Sequence, residues 1–556
     1  MSTVSAHVAL TLADHVDQIF GVMGNGNAYF LDAVERQTPI NYTAVRHEAS
    51  AVVAADAHYR AGGGLAVATT TYGAGFTNTL TALAEAVQAH TPLVLVVGDE
   101  PTSGPRPWDV DQIALAAAVG ARTYTVGRSD AAETTVIAVE HALSYRVPTV
   151  LAIPYDVAAL EVGEVPATSG LQLPPPLPPA GAFAQAQLDA LADRLVSAQR
   201  PFLLAGRGAW LAGAGAELGR LASATGALTA GTALGRGVFP DAEYDLGVTG
   251  GFGAAGAMQT VHEADVVVVF GASLNQFTMR FGELFGPGTT VVQVDIAGSA
   301  SHPQVGGFIR ADAALAAAEL ADRVTARGGN PRRWRETVSP ERLRATQTGA
   351  ELAPDGRLDP RAAAARIGEL LPEDRVVVSD GGHFIGWANM YWPVATPDRM
   401  MMVGTAYQSI GLGFASVPGA ALARPTATVV LTTGDGGGLM ALADLETAVR
   451  VAGGRGLAVV WNDAAYGAEV NLYGLKGLAE QPMLIPEVDF AALGAAVGAE
   501  GVVVRRLADL DRLAEWAATD PADRPFLLLD LRISGRVVAP YQQEIIAVNS
   551  ARPKPA

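Results

Sequence analysis

Short apolar runs recur along the chain and alternate with alanine-rich stretches that have helical spacing. Most runs are rich in Val, Ile and Leu and end near Gly, Asp or Pro. Buried parallel strands read as continuous apolar runs, and their alternation with helices is the βαβ pattern. The pattern predicts an α/β fold of doubly wound parallel sheets, with strands at 18–22, 65–69, 93–97, 149–153, 201–205, 266–270, 290–294, 376–379, 426–431, 457–461 and 526–531.

The same pattern divides the chain into three blocks. We expect a first domain at 1–165, a central Rossmann-like domain at 181–345 and a third domain at 355–545. A proline-rich stretch at 173–179 lies in the segment 166–180, which is therefore predicted to be an extended, exposed linker.

Composition narrows the classes of function. The 556 residues carry a net charge of −18, which disfavours nucleic acid and anionic membranes as partners. There is no cysteine, so disulfides, thiolate metal sites and cysteine nucleophiles are excluded. Residues 1–14 lack the pattern of a signal peptide, and no apolar run approaches the ~20 residues of a membrane span. We expect a soluble cytoplasmic protein that acts on small molecules.

Two strand ends carry candidate metal chemistry. Gly434-Asp435-Gly436-Gly437-Gly438 follows an apolar run, and a later run ends in Asn462-Asp463, before Ala465 and Tyr466-Gly467. Mg²⁺ prefers oxygen ligands and substrate phosphates, and glycines let backbone N–H groups approach a diphosphate. The alternative is a glycine-rich turn with a capping Asp. Because the second motif is also present, the sequence favours a metal-diphosphate site.

With these motifs, nearly the whole chain resembles the thiamine diphosphate (ThDP) enzymes of the acetolactate synthase and 2-oxo-acid decarboxylase superfamily. The resemblance implies pyrimidine-binding, central and diphosphate-binding domains, with ThDP and Mg²⁺ as cofactors. It also implies a homodimer or homotetramer with active sites at the subunit interface. The family's central domain sometimes carries FAD or ADP, and the sequence has no decisive motif for either.

The resemblance assigns the cofactor-binding residues. Asp435 is the expected metal ligand, and the Ala465 carbonyl is expected to complete the set. The second side-chain ligand stays open: spacing from Asp435 favours Asn462, whereas distance to Tyr466-Gly467 slightly favours Asp463. The remaining expected cofactor contacts are Gly382, His383, Gly434, Gly436, Gly437, Tyr466, Gly467 and Ile410, which would support the thiazolium ring, with Leu412 as the alternative in another register.

Glu48 is the expected cofactor-activating carboxylate. It stands in Arg46-His47-Glu48, after a strand-like stretch at 41–45 and at the start of an alanine-rich segment. The family carries its activating glutamate in this context, where it would bind the aminopyrimidine ring. The alternative is a glutamate favoured by the dipole at a helix N-terminus.

The expected substrate-facing residues depart from several family patterns. Asn25, Tyr72 and Gln112 are the catalytic candidates of the first block, and Glu469 and His383 are polar candidates of the third. The segment 108–113 has no histidine pair of the pyruvate decarboxylase type, and Gln112 could match a glutamine of acetolactate synthases.

The lack of a histidine relay favours one reaction over others. Without such a relay, protonation that releases an aldehyde should be less easy. We therefore expect decarboxylation of a 2-oxo acid, followed by carboligation of the acyl anion to a second carbonyl acceptor. The alternatives are a simple 2-oxo-acid decarboxylase, an FAD-containing oxidase and a non-catalytic homologue.

Overall fold

The computed structural model describes residues 2–551, and its first part is a sheet of six parallel strands covered by helices. The strands of this part are β1 (Ser2–Thr3), β2 (Gln18–Gly21), β3 (Asn41–Ala44), β4 (Val67–Thr70), β5 (Leu93–Asp99), β6 (Arg122–Thr125), β7 (Pro148–Pro154) and β8 (Glu161–Gly163), of which β1 and β8 form a separate antiparallel pair. The helices are α1 (Val4–Leu12), α2 (Ala28–Gln37), α3 (Glu48–Arg60), α4 (Ala74–Thr77), α5 (Leu80–Gln88), α6 (Gln112–Ala118) and α7 (Ala131–Tyr145).

The central part is a second parallel sheet. Its strands are β9 (Pro201–Ala205), β10 (Leu228–Gly231), β11 (Asp245–Val248), β12 (Val266–Phe270), β13 (Thr290–Asp295) and β14 (Val305–Arg310). Its helices are α8 (Gly181–Ser197), α9 (Arg207–Leu211), α10 (Gly215–Thr225), α11 (Ala255–His262) and α12 (Ala313–Ala326). A short helix, α13 (Pro340–Leu343), follows the sheet. Residues 164–180, before α8, contain neither helix nor strand.

The third part repeats the architecture of the first. Its strands are β15 (Arg375–Ser379), β16 (Met400–Met402), β17 (Thr428–Gly434), β18 (Gly456–Asn462), β19 (Glu500–Val504) and β20 (Leu527–Arg532). Its helices are α14 (Pro360–Leu370), α15 (Ile385–Tyr391), α16 (Gly413–Ala423), α17 (Asp435–Met440), α18 (Leu445–Ala452), α19 (Gly467–Leu472), α20 (Phe490–Ala496), α21 (Asp511–Ala518) and α22 (Pro540–Ala551).

Strand order locates the ligand edge of each sheet. The first sheet runs β3-β2-β4-β5-β7-β6 and the third runs β16-β15-β17-β18-β20-β19, which is the same order within each unit. The central sheet runs β11-β10-β9-β12-β13-β14, the dinucleotide-fold order. Ligands of open parallel sheets bind beyond the carboxyl ends of strands where the order reverses. In the first and third sheets that point lies between β2 and β4 and between β15 and β17.

The first and third parts share one apolar core, in which α3 packs on α16. The helices approach so closely that a Cβ on Gly419 would lie 2.0 Å from the Ala54 carbonyl oxygen. A buried ion network also crosses this junction. Arg60 pairs with Asp56 at 2.7 Å and Glu85 at 3.1 Å and donates to the Met402 carbonyl at 2.9 Å.

The expected α/β fold of parallel sheets is confirmed, and the expected strands are present with small shifts at their ends. Strands β2–β7, β9–β14 and β15–β20 lie inside the expected blocks 1–165, 181–345 and 355–545, whose boundaries remain predictions. Beyond the strand-like 41–45, the expectation omitted β1, β6, β8, β10, β11, β14, β16 and β19. Among the helices of residues 2–551, none is long and apolar enough to cross a membrane.

Candidate active site

Asp435 lies at the carboxyl end of β17, where α17 begins. Its side chain is buried, and Oδ1 accepts a hydrogen bond from the Gly436 N–H at 3.0 Å. Oδ2 is buried and has no hydrogen-bond partner within residues 2–551. Burial, followed by the nearby Asp463 carboxylate, raises the pKa of Asp435 to about 7. A buried carboxylate of this kind is suited to a cation that replaces its lost hydration.

Asp463 follows the adjacent strand β18 and completes a cluster with Asp435 and His383. The Asp463 Oδ2 atom lies 3.1 Å from Nε2 of His383, and its carboxylate is only 1% exposed. Burial would lower the pKa of His383, but Asp463, Asp435 and Glu469 together raise it. The turn places Ala464 at φ +62°, a left-handed conformation that is strained for a residue with a Cβ.

Asn462, the other candidate ligand, has a different environment. Its Nδ2 donates to the Asp530 carboxylate at 2.9 Å and to the Val488 carbonyl at 3.0 Å. These bonds tie the end of β18 to β20 and to the segment before α20. The Asn462 Oδ1 atom is buried without a hydrogen-bond partner in the described part of the chain. The structure thus places Asp463 beside His383 and turns the Asn462 amide towards Asp530.

Glycines let the surrounding loops meet at this cluster. A Cβ on Gly467 would lie 2.3 Å from the His383 ring, and one on Gly436 would lie 2.7 Å from the Tyr466 ring. A Cβ on Gly434 would lie 3.0 Å from the Phe384 ring, so Gly434 also allows close packing. Gly382 has φ +140°, and its carbonyl and that of His383 face the hydroxyl of Tyr541, at 3.4 and 2.7 Å. These contacts position the candidate diphosphate loops.

Asp380, to which the sequence analysis assigned no role, holds three segments together. Its carboxylate accepts hydrogen bonds from the N–H groups of Gly381 at 2.8 Å and Gly411 at 3.1 Å, and from the Thr433 hydroxyl at 3.0 Å. A Cβ on Gly437 would lie 2.9 Å from Oδ2 of Asp380. Burial raises the pKa of Asp380 to about 6. Its position directly after an apolar strand was the only available sequence signal.

The two candidates for the ring-supporting residue lie in different surroundings. Leu412 is buried in the core shared by the first and third parts. Ile410 is half-buried, and its Cγ2 lies 3.0 Å from the position of a Cβ on Gly381. Ile410 therefore borders the candidate diphosphate loop, whereas Leu412 does not present its side chain to a ligand.

Glu48 begins α3 at the edge of the first sheet. Its side chain is half-buried, and Oε2 accepts a hydrogen bond from Nδ2 of Asn78 at 3.0 Å. Within residues 2–551 no hydrogen bond or ion pair joins Glu48 to Asp435, Asp463 or His383. Glu48 and the carboxylate cluster are therefore described as two candidate half-sites, one on the first part of the chain and one on the third.

The predicted substrate-facing residues of the first part, Asn25, Tyr72 and Gln112, are close together, but their hydrogen-bond partners differ. Nδ2 of Asn25 donates to the Tyr72 hydroxyl at 2.8 Å, and Asn25 is exposed. Gln112 is buried: Oε1 accepts from the Gly73 N–H at 2.9 Å, and Nε2 donates to the Gly98 carbonyl and the Asp99 carboxylate, both at 3.0 Å. Gln112 thus fastens two loops together. In the third part, Glu469 is exposed on α19.

Family models match all three parts of the chain. The thiamine pyrophosphate enzyme N-terminal TPP binding domain matches residues 2–117, the central domain matches 188–320, and the C-terminal TPP binding domain matches 380–529. With the predicted motifs and the observed fold, these matches show that the chain belongs to the thiamine pyrophosphate enzymes. It is accordingly a ThDP-dependent enzyme of the transferase and lyase type, as its relatives also indicate.

Curated relatives span nearly the whole chain. The sulfoacetaldehyde acetyltransferase of Castellaniella defragrans is 28% identical, over 98% of this chain and 96% of that protein. The acetolactate synthase isozyme 3 large subunit of Escherichia coli (strain K12) is 26% identical, over 94% of this chain and 92% of that protein.

Solved structures show the same fold. The benzoylformate decarboxylase of Polynucleobacter necessarius superposes with a TM-score of 0.79 at 20% identity, over 97% of this chain and 99% of that chain. The ThDP-dependent 4-hydroxybenzoylformate decarboxylase of Rhodococcus jostii RHA1 gives 0.77 at 21% identity, over 96% and 99%. Both support the fold of this chain.

Proposed function

We propose that this enzyme decarboxylates a 2-oxo acid and joins the acyl unit to a second carbonyl compound. The observation that favours this outcome is the polar lining of the first half-site. Loops 22–27, 71–75 and 100–111 contain no histidine, and Gln112 uses both ends of its amide to hold loops together. With no histidine in these loops to supply a proton, we expect protonation of the acyl unit to be slow enough for a carbonyl acceptor to react first.

Asp435 and Asp463 are the proposed side-chain ligands of Mg²⁺, with the Ala465 carbonyl as a third oxygen. The support is the pair of buried carboxylates, in which Asp435 Oδ2 and Asp463 Oδ1 have no hydrogen-bond partner in residues 2–551. Carboxylate oxygens together with cofactor phosphates form the donor set that Mg²⁺ prefers.

When bound, thiamine diphosphate supplies the carbon nucleophile and the electron sink that decarboxylation requires. The roles of the protein follow from its half-sites. Glu48 would hold a proton at the aminopyrimidine ring, Ile410 would fix the ring orientation, and the glycine turns at 381–382 and 436–438 would admit the diphosphate. Asn78 would keep the Glu48 carboxylate oriented through its 3.0 Å hydrogen bond.

Two copies of the chain would bring the half-sites together. Exposed apolar side chains flank Glu48's sheet edge at Met23, Trp108 and Ile113, and others flank the carboxylate cluster at Met440 and Leu475. Exposed apolar patches on soluble proteins mark interaction surfaces. A homodimer, or a homotetramer built from it, would cover both patches and complete each site.

Product analysis tests the reaction. The purified protein is incubated with Mg²⁺, ThDP and pyruvate, with and without an aldehyde acceptor. Acetolactate or another coupled 2-hydroxyketone is the expected product, and free acetaldehyde alone would instead identify a simple decarboxylase. The absence of CO₂ would mean that pyruvate is not the donor acid, and a yellow protein with oxidase activity would indicate an FAD enzyme.

A further inference from the structure

Arg106 lies beside the first half-site and has no role in the reaction described above. It stands on the loop after β5, and the Trp108 carbonyl oxygen of that loop lies 3.0 Å from the position of a Cβ on Gly73. The loop thus packs on the turn that follows Tyr72. Arg106 is therefore next to the Asn25–Tyr72 pair, at the edge where the first sheet binds ligands.

The Arg106 guanidinium is held in one orientation. Its Nε and Nη2 both donate to the Asp109 carboxylate at 2.8 Å, and the Asp109 side chain is only 2% exposed. The guanidinium carbon lies 4.1 Å from the ring centroid of Tyr72, 4.8 Å from that of Tyr155 and 5.6 Å from that of Trp108. A bidentate carboxylate and stacked rings restrict an arginine far more than either contact alone.

This arrangement leaves hydrogen-bond donors next to the Asn25–Tyr72 pair. Asp109 occupies Nε and Nη2, and Nη1 makes no hydrogen bond that meets normal geometry within residues 2–551. The Tyr72 hydroxyl accepts from Asn25, so its own proton is available to donate. Nη1 and the hydroxyl are therefore two donors on neighbouring side chains.

We propose that Arg106 is a specificity-determining residue, which binds an oxyanion on the substrate at the end remote from the reacting carbonyl. This inference rests on the proposed function, because it concerns the substrate of that same site. A carboxylate or a sulfonate offers the acceptor oxygens that Nη1 and the Tyr72 hydroxyl require. Because Asp109 neutralises Arg106, selection depends on directed hydrogen bonds more than on net charge.

Matched substrates test the inference in the holoenzyme with ThDP and Mg²⁺. CO₂ release gives kcat/KM for 2-oxoglutarate against 2-oxopentanoate and for 3-sulfopyruvate against 2-oxobutanoate, which separates the two oxyanions. We expect wild type to prefer the anionic member of at least one pair. Arg106→Gln should reduce that preference about 10- to 100-fold, the range for a lost hydrogen bond to a charged group.

Two further variants exclude other causes of a lost preference, namely an unpaired Asp109 carboxylate and a general effect of removing an arginine. The double variant Arg106→Gln/Asp109→Asn avoids a buried unpaired carboxylate and should show the same loss of preference. Arg122→Gln removes an exposed arginine that lies 5.4 Å from the Tyr124 ring on β6, and it should keep the wild-type preference. An unchanged preference in both Arg106 variants, or no preference in wild type, would overturn the inference.

A binding measurement separates this inference from the proposed reaction. Calorimetric titration of the holoenzyme compares glutarate with pentanoate and sulfoacetate with propanoate, none of which has a 2-oxo group. Stronger binding of an anionic-tailed ligand that is lost in Arg106→Gln supports the inference even if no 2-oxo acid is turned over. Equal binding of both members of each pair contradicts it even if pyruvate is decarboxylated.

Discussion

Asp435 and Asp463 show how single residues prepare the site. Two buried carboxylates near each other repel, and this repulsion adds to burial in raising the pKa of Asp435 to about 7. Such an arrangement costs folding free energy, since Asp435 Oδ2 and Asp463 Oδ1 lose hydration without gaining a hydrogen-bond partner in residues 2–551. A divalent cation would offset that cost, which is why we expect metal binding and not packing to explain these two side chains.

Asp463→Ala should weaken Mg²⁺-dependent ThDP binding as Asp435→Ala does, because each change removes a ligand carboxylate. We expect a loss of at least about tenfold in affinity, typical of a disturbed metal site. Calorimetric titration of ThDP at fixed Mg²⁺ measures it. Asn462→Ala is the matched comparison and should weaken ThDP binding less; if it had the larger effect, Asn462 would be the ligand.

Glu48→Gln should bind ThDP almost normally but lose at least about 100-fold in turnover, the range for a lost proton-transfer group. The amide keeps the shape of the side chain and the contact with Asn78, but it does not take up a proton. Calorimetry and CO₂ release are measured on the same sample. Glu35→Gln, an exposed residue of α2, serves as control, and near-normal turnover of Glu48→Gln would remove Glu48 from the mechanism.

For single residues, the sequence could predict which side chains lie near the candidate site but not all of their hydrogen-bond partners. The glycine and aspartate turns after β17 and β18 mark a site because their spacing follows strand ends. The side-chain direction at Asn462 and Asp463 depends on the left-handed turn at Ala464, and no local sequence pattern predicts that turn. The tie between Gln112 and Gly73 likewise joins residues from separate loops.

At the scale of elements, Asp380 joins β15, β17 and the loop that carries Ile410. Its carboxylate faces only donors: backbone N–H groups of Gly381, Gly411 and Leu412, and the Thr433 hydroxyl. The loop also reaches the first part of the chain, where the Tyr407 N–H donates to Glu85 at 2.7 Å. The position of Ile410 therefore depends on two buried carboxylates.

Asp380→Asn should change how stability varies with pH. Burial raises the folded-state pKa of Asp380 to about 6 from 3.8, so between these values the folded protein binds the proton more tightly than the unfolded chain. Stability from this group is therefore fully present below about pH 4 and falls, by roughly 3 kcal/mol, as pH rises from about 4 to slightly above 6. Urea unfolding from pH 4 to 7 should show this fall in wild type but not in Asp380→Asn.

The control for that titration is Asp374→Asn, an exposed aspartate just before β15. It should give the same pH dependence as wild type. If Asp380→Asn also kept the wild-type slope between pH 4 and 6, Asp380 would not be the group that titrates.

Elements were predictable where burial on both faces of a sheet demands apolar residues. β9 and β12 match expectation at both ends, because Pro201–Ala205 and Val266–Phe270 are continuous apolar runs. The edge strands β6, β14 and β19 were omitted, since they are only partly buried and carry polar residues. Edge strands receive less of the hydrophobic signal on which sequence interpretation depends.

At the scale of the whole molecule, mixing two inactive variants tests whether the sites form between subunits. Glu48→Gln and Asp435→Ala are unfolded and refolded together, or co-expressed, to form mixed dimers. If each site takes Glu48 from one subunit and Asp435 from the other, a mixed dimer has one intact site. Random pairing of equal amounts makes half of the dimers mixed, and each mixed dimer has one intact site out of two. We therefore expect about a quarter of wild-type activity.

The contrary outcome is equally clear. If both residues acted within one chain, no mixed dimer would contain an intact site and activity would stay at background. Sedimentation analysis of each variant serves as control, because both variants must assemble like wild type for the comparison to hold.

The ion network of Asp56, Arg60 and Glu85 also has a consequence for how the chain is made. Its partners at Met402 and Tyr407 lie more than three hundred residues further along the chain. During translation the apolar face of α3 therefore leaves the ribosome long before α16 exists to cover it. The apolar face of α3 therefore stays exposed until the rest of the chain has been synthesised and has folded. A fragment truncated after the linker should consequently aggregate unless a chaperone shields that face.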